Sequence, residues 1–199
     1  MMSLPSLMAS PNPASEPITG LLLCGGAGRR MGGADKGLIS FHGRLLIDIA
    51  IDRLSPQVNA LIINANRNRA HYLQRGLPVI ADPVFGEHTP SYEGPLAGIL
   101  AGLQTASTPW MVTVPCDCPL FPLDIVSQLW AGRSAGGAYV AEHPTFALVP
   151  IASRTHLEHF LQHGQRKLGQ WLAEVGASAV HPADEAPFRN LNTPEDLGA

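Results

Sequence analysis

Charge is scarce in this chain, and neither sign dominates. Of its 199 residues, 15% are Asp, Glu, Lys or Arg, and the formal net charge is -3. Without a basic excess, nucleic acid is not favoured as a partner. Any anion must be met by a local cluster of cations. Cysteine is nearly absent as well: there are three, Cys24, Cys116 and Cys118, at no framework spacing. That argues against a disulfide-stapled secreted fold and for a reduced, cytoplasmic protein. The Cys116-Asp117-Cys118 clip supplies too few ligands for a structural zinc site. Long apolar runs are missing. The first stretch, MMSLPSLMASPNPASEP, has no basic start and is broken by prolines, so it is read neither as a secretory signal nor as a membrane span. Residues 1–16 are expected to be a disordered tail and residues 17–199 a single domain. There is no internal repeat and no long charge run.

What is present is an alternation of short apolar runs with helical periodicity. Residues 18–23 are wholly apolar or small, as a strand buried on both faces should be. Strands are also predicted over 60–63, 78–80 and 110–114, with extended segments at 139–142 and 145–149 around His143-Pro144. Helices are predicted over 45–54, 70–74, 95–106, 122–130, 153–163 and 166–175, and a last one from Thr193, which reads as a cap followed by Pro194. Strand followed by helix, repeated, implies right-handed crossovers. The expected fold is therefore α/β: a Rossmann-like domain with a mainly parallel sheet, helices on both faces and a short antiparallel edge. In such sheets ligands bind beyond the carboxyl ends of the strands. The four best strands run into Cys24-Gly25-Gly26, Asn64-Ala65-Asn66, Ala81-Asp82 and Pro115-Cys116-Asp117, so each delivers a small or polar group to that edge.

The first of these is the most informative. LLLCGGAGRRMGGADK, residues 21–36, sets five glycines beside Arg29, Arg30 and Lys36. Glycines let backbone N–H groups approach an anion closely, and the cations add a fork and a point charge for phosphate. The stretch reads as a phosphate cradle. It does not fit the dinucleotide fingerprint, because Met31 takes the place of the last glycine. Nor does it fit a P-loop, because Asp35 precedes Lys36 and Gly37 follows it.

These residues resemble a family. Cys24-Gly25-Gly26, Arg30-Met31-Gly32 and Asp35-Lys36 are similar to the LAGGxxxRMGxxDK signature of the molybdenum cofactor guanylyltransferases of the MobA type. Asn64-Ala65-Asn66, Asp82, Gly94-Pro95-Leu96-Ala97-Gly98, Pro115-Cys116-Asp117, His143-Pro144-Thr145 and Asn190-Leu191-Asn192-Thr193-Pro194 follow in the same order, so the resemblance spans roughly residues 18 to 197. Cys24 departs from it, standing where alanine is usual. Residues 83–93 are long for their loop, and the segment 131–142 is short.

The resemblance implies transfer of GMP from GTP to molybdenum-bound molybdopterin, with release of pyrophosphate. It implies Lys36, Asp117 and Arg30 as catalytic residues and Asp117 as the ligand of Mg2+, or of Mn2+ in its place. It implies a GTP site made of Leu23, Cys24, Gly25, Gly26, Lys36, Asn64, Asp82 and Asp117, with Asn190 and Asn192 on the pterin side. The partners implied are GTP, molybdopterin, and the proteins of molybdopterin synthesis and molybdoenzyme maturation. Two alternatives stay open: a CTP-dependent transferase acting on molybdopterin or a sugar alcohol phosphate, and a nucleotide-binding regulator without chemistry. Related cytidylyltransferases carry LAAG, so Gly25-Gly26 favours guanine. Lys36 and Asp117 are both retained, which disfavours the regulator.

Plainer roles compete at some positions. Asp117 could cap the helix predicted at 122. His156, His159 and His163 lie near one helix face, where alternation with Glu158 and Gln162 fits a solvated surface better than a metal site. Trp110, Trp130 and Trp171 are read as core.

Overall fold

The computed structural model of the protein describes residues 16–24, 35–84 and 94–191. In chain order its elements are β1 (Ile18–Leu23), β2 (Ser40–Phe41), β3 (Arg44–Leu45), α1 (Leu46–Leu54), β4 (Ala60–Asn64), α2 (Arg69–Leu73), β5 (Val79–Ile80), α3 (Pro95–Thr105), β6 (Trp110–Pro115), α4 (Ile125–Gly132), β7 (Ala138–Val140), β8 (His143–Pro150), α5 (Arg154–Gln162), α6 (Leu168–Glu174) and β9 (Ser178–Val180).

Strands β5, β4, β1, β6, β8, β7 and β9 form a seven-stranded sheet in that order. The pairs β4–β5, β1–β4, β1–β6 and β7–β9 are parallel, while β8 runs antiparallel to both β6 and β7. β1 is buried along its whole length because it is central and covered on both faces. Successive side chains of a strand point to opposite faces. Leu22 and Cys24 accordingly join a cluster with Ile47, Ala50 and Leu54 of α1, Tyr72 of α2 and Ile125 and Leu129 of α4. Leu21 and Leu23 join the opposite cluster, with Leu96, Ile99 and Leu103 of α3, Leu157 of α5 and Trp171 of α6.

The mainly parallel sheet with helices on both faces is as the sequence predicts, and residues 18–23 form the first strand with the expected bounds. Three local readings change. Leu45 belongs to a two-strand hairpin, β2–β3, rather than to the following helix; His42 and Gly43 make its turn with φ of 49° and 79°. The helix predicted from 122 begins at Ile125, because Pro122-Leu123-Asp124 forms a turn whose Pro122 carbonyl accepts from Ile125 N. The β7–β8 turn falls at Ala141-Glu142, not at His143-Pro144. Val140 already pairs with His143, and Glu142 takes the left-handed conformation, φ 60°, that so tight a turn demands. The helix predicted from Thr193 and the tail over residues 1–15 lie outside the described residues. Among the described residues no helix is long and apolar enough to cross a membrane.

Candidate active site at the carboxyl ends of the central strands

The parallel register brings the strand ends level. Leu23 lies beside Asn64 on β4 and beside Pro115 on β6, and Asn64 lies beside Ile80 on β5. The backbone ladder runs one residue further. Cys24 N donates to Asn64 O at 2.9 Å, Ala65 N to Ile80 O at 2.8 Å, and Cys116 N to Leu23 O at 3.1 Å. The polar residues that follow these strands therefore emerge together.

Lys36 and Asp117 meet across this edge. Lys36 opens a 3-10 turn, Lys36–Leu38, and its Nζ donates to Asp117 Oδ2 at 2.6 Å. The Lys36 side chain is 26% exposed and that of Asp117 10%. The pair is thus open on the lysine side and sheltered on the carboxylate side. Asp117 sits two residues past β6, outside any helix; the cap position of α4 is Asp124. Its carbonyl accepts from Leu191 N at 2.8 Å, and the loop beyond it is gripped by Arg53 of α1, which donates to the carbonyls of Phe121 and Leu120.

A second cluster forms at Asp82. Asn64 Nδ2 donates to Asp82 Oδ1 at 2.9 Å, and Asn66 Nδ2 donates to Oδ2 at 2.7 Å. Asp82 N returns a hydrogen bond to Asn66 Oδ1 at 2.8 Å. Asn64 is 2% exposed, and on its other side it packs on α3 at Gly98, where any Cβ would collide with its Oδ1. The glycine at 98 is thereby a fit to the asparagine at 64.

Asn190 lies next to Asp117, not in a separate region. Its Oδ1 accepts from Cys118 Sγ at 2.8 Å. Burial is the main force pushing the Cys118 thiol up, and the neighbouring Asp117 charge adds to it, so the sulfur stays a protonated donor. Cys116 is pushed up as well, first by its hydrogen bond with Cys24 and then by burial. All three cysteines are buried and unpaired by disulfides. Two protonated buried thiols are poor nucleophiles.

The structure therefore brings Lys36 to Asp117, Asn64 to Asp82, and Asn190 to the segment carrying Asp117, with Leu23 and Cys24 between the first two pairs. Gly25, Gly26, Arg30 and Asn192 lie outside the described residues. The histidines of α5 are far from this edge in character: His156 is half exposed near Glu174, and His159 stacks on His163. Trp171 and Trp130 are buried in the core and Trp110 packs against it, meeting Trp130 edge to face, with Arg133 over the Trp130 ring. Sequence reasoning gave no role to Asn66, Asp35, Tyr72 or Gly98. Asn66, Asp35 and Gly98 all fall inside the motifs quoted above, so position was the available signal. Tyr72 had none.

The family model of the MobA-like NTP transferase domain matches residues 20–181. The chain belongs to the MobA-like NTP transferase family. A protein of Yersinia pestis (strain Pestoides F) named molybdenum cofactor guanylyltransferase is 49% identical over 185 residues, which is 90% of this chain and 92% of that protein. A protein of the same name from Yersinia pseudotuberculosis (serotype IB, strain PB1/+) matches at the same 49% and the same coverage. Among solved structures, molybdopterin-guanine dinucleotide biosynthesis protein A from Archaeoglobus fulgidus superposes with a TM-score of 0.67 at 23% identity, covering 90% of this chain and 95% of that one. The 2-C-methyl-D-erythritol 4-phosphate cytidylyltransferase of Thermus thermophilus gives 0.65 at 12% identity, over 89% of this chain and 94% of that one. At such identities the likeness is one of fold. This chain thus shares its fold with a protein named a cytidylyltransferase, and the fold alone does not choose the base.

Proposed function

We infer that this protein transfers GMP from GTP to the phosphate of molybdenum-bound molybdopterin, forming the guanine dinucleotide cofactor and pyrophosphate. The observation that carries this reading is 49% identity, over 90% of the chain, to proteins named molybdenum cofactor guanylyltransferase. The contact of Lys36 with Asp117 at the strand ends supplies the means.

An oxygen of the pterin phosphate bonds to the α-phosphorus of GTP. The bond from that phosphorus to the bridging oxygen breaks, and its electron pair leaves on pyrophosphate. No covalent enzyme intermediate is required. The protein has to align the two substrates and to neutralise charge that is crowded onto phosphate oxygens. Lys36 is suited to this because its partner is already an anion. A triphosphate entering from the exposed side offers the ammonium more oxygens than Asp117 does. Lys36 would then exchange its carboxylate for phosphate, and Asp117 would be the residue to hold a divalent cation.

The residues present fit magnesium, or manganese in its place, in a particular way. Among the described residues no three His, Cys, Asp or Glu side chains form a group that could hold a metal. A sheltered single carboxylate suits a hard ion that takes its remaining ligands from phosphate oxygens and water. Such an ion would supply charge neutralisation at the reacting phosphates.

Asn64 and Asp82 face the same edge from the β4–β5 side and are assigned to the base or ribose. Leu23 O and Cys24 N are already engaged in the sheet ladder. Recognition of the guanine edge at these positions therefore passes to the Cys24 carbonyl and to Gly25, with Gly26 leaving room for a purine. Arg30 is assigned to the phosphates with Lys36. Asn190 and Asn192 are assigned to the pterin, which places the acceptor phosphate on the Asp117 side. The protein would exchange its substrate and product with proteins of molybdopterin synthesis and molybdoenzyme maturation. The test is a mixture of purified protein, magnesium, molybdenum-bound molybdopterin and GTP, followed for pyrophosphate and for the dinucleotide product. Formation of both supports the reading; absence of both with an intact fold overturns it.

A further inference from the structure

A polar arrangement built on the buried Tyr72 stands directly behind Lys36. Asp35 precedes it with extended backbone, and the Asp35 carbonyl accepts from Leu38 N at 3.0 Å, closing the turn that begins at Lys36. The Asp35 carboxylate does not face the lysine's partner. Its Oδ1 accepts from the Tyr72 hydroxyl, and its Oδ2 accepts from Asn68 Nδ2 at 3.0 Å. Tyr72 is 0% exposed, although it lies in a five-residue helix with mostly exposed neighbours. Its ring lies against the same turn: a Cβ on Gly37 would come within 2.5 Å of the Tyr72 oxygen and 3.1 Å of the ring edge. Asn68 holds its place in the left-handed conformation, φ 50°. The turn bearing Lys36 is therefore fastened, through one carboxylate, to the segment that follows β4. That segment also carries Asn66 and continues directly from Asn64, the last residue of β4.

We propose that Tyr72 is a positioning residue for nucleotide transfer, acting through Asp35 to hold Lys36 where it can meet the triphosphate. This deepens the guanylyl-transfer reading and rests on it. The hydroxyl donates to Asp35, the residue just before Lys36, so its influence passes through the backbone of residues 35–38. Burial first, then the neighbouring Cys24 and the hydrogen bond to Asp35, push the Tyr72 phenol far up, which keeps it a donor to Asp35 throughout the working pH range. The arrangement also ties the two halves of the site together. The Asp35 carboxylate joins the phosphate-holding turn to the segment that follows Asn64 and Asn66.

Tyr72→Phe removes the hydroxyl and keeps the ring on Gly37. Loss of a sheltered hydrogen bond to a charged group predicts a fall in kcat/KM for GTP of about tenfold. A merely structural role would give the same loss in any background. The deciding comparison is therefore a cycle with Lys36→Ala. If Tyr72 acts through Lys36, adding Tyr72→Phe to Lys36→Ala costs less than about twofold, because the group it positions is gone. Equal losses in the two backgrounds, or no loss in the wild type, overturn the proposal. Asn68→Gly removes the other donor while tolerating the positive φ, and it should show the same dependence on Lys36 if Tyr72→Phe fails to fold. Turnover of GTP by the wild type is measured alongside. Its absence defeats the guanylyl-transfer reading, whereas its presence with additive variants defeats only the positioning role.

Discussion

Replacing Asp117 by asparagine tests the exchange of partners at Lys36. The amide keeps the shape of the carboxylate and its place under the Leu191 N–H, which reaches the Asp117 backbone and not the side chain. What disappears is one negative charge 2.6 Å from Lys36 Nζ. The stability cost is set by how well Lys36 can recover in water. With the lysine 26% exposed and the carboxylate 10% exposed, the pair lies between the surface and buried cases. A loss of about 1 kcal/mol follows, and a fall in Tm of roughly 2–4 °C for a chain of this size. The functional cost is larger. The amide oxygen is a neutral and much weaker ligand for the cation, and loss of one transition-state charge partner costs about a hundredfold or more in kcat. Binding separates the two effects. In the wild type GTP should bind more tightly with magnesium than without it. In Asp117→Asn the magnesium dependence should vanish, while magnesium-free GTP binds at least as well, because Lys36 is no longer held by a competing anion. Calorimetric titration of GTP with and without magnesium, beside steady-state kinetics, gives both numbers. A variant that keeps wild-type kcat in magnesium, or keeps its magnesium-dependent affinity, would refute the assignment.

Lys36→Ala should weaken GTP binding and slow turnover, and Lys36→Arg should restore only part of the loss, because a planar fork replaces a compact ammonium; equal rates for Lys36→Ala and wild type in the same assay contradict this. Gly98→Ala should gain helix propensity and still lose stability, because its Cβ has no room against Asn64 and Leu23 and overpacking costs about 1–3 kcal/mol. A lower Tm with several-fold weaker GTP binding is expected, and an unchanged affinity would detach Asn64 from the nucleotide. Asn190→Ala should raise KM for molybdopterin more than KM for GTP; the reverse order would move this residue to the nucleotide side.

The parts of the fold that were legible in the sequence are those where burial dictates composition. β1 is covered on both faces, so its six residues read as one run of apolar or small residues, and the polar groups at the ends of β1, β4, β5 and β6 stood out by contrast. The hairpin β2–β3 escaped because each strand has two residues and its turn uses His42-Gly43 rather than an asparagine or aspartate before the glycine. β9 escaped because it has only three residues, two half-buried around the exposed Ala179, too few to show a period. In the site, Lys36, Asp117, Asn64 and Asp82 were legible through their motifs. Their pairing was not, since Lys36 and Asp117 are 81 positions apart and meet only when β1 and β6 lie side by side. Tyr72 carries no sequence signal at all. Its burial comes from the core cluster on one face of the sheet together with the turn at Lys36, a long-range event that the polar neighbours of a short helix conceal.

The central claim is that this edge of the sheet transfers a guanylyl group. It is tested most directly by following pyrophosphate release and dinucleotide formation with molybdenum-bound molybdopterin and magnesium, with GTP in one arm and CTP in the other. A site that hydrogen-bonds one base rejects another by up to about 10⁴-fold, because its buried donors and acceptors are left unpaired. The account predicts rapid release with GTP, a guanine dinucleotide product and a kcat/KM for CTP at least about a hundredfold lower. Turnover with CTP equal to or faster than that with GTP would contradict it.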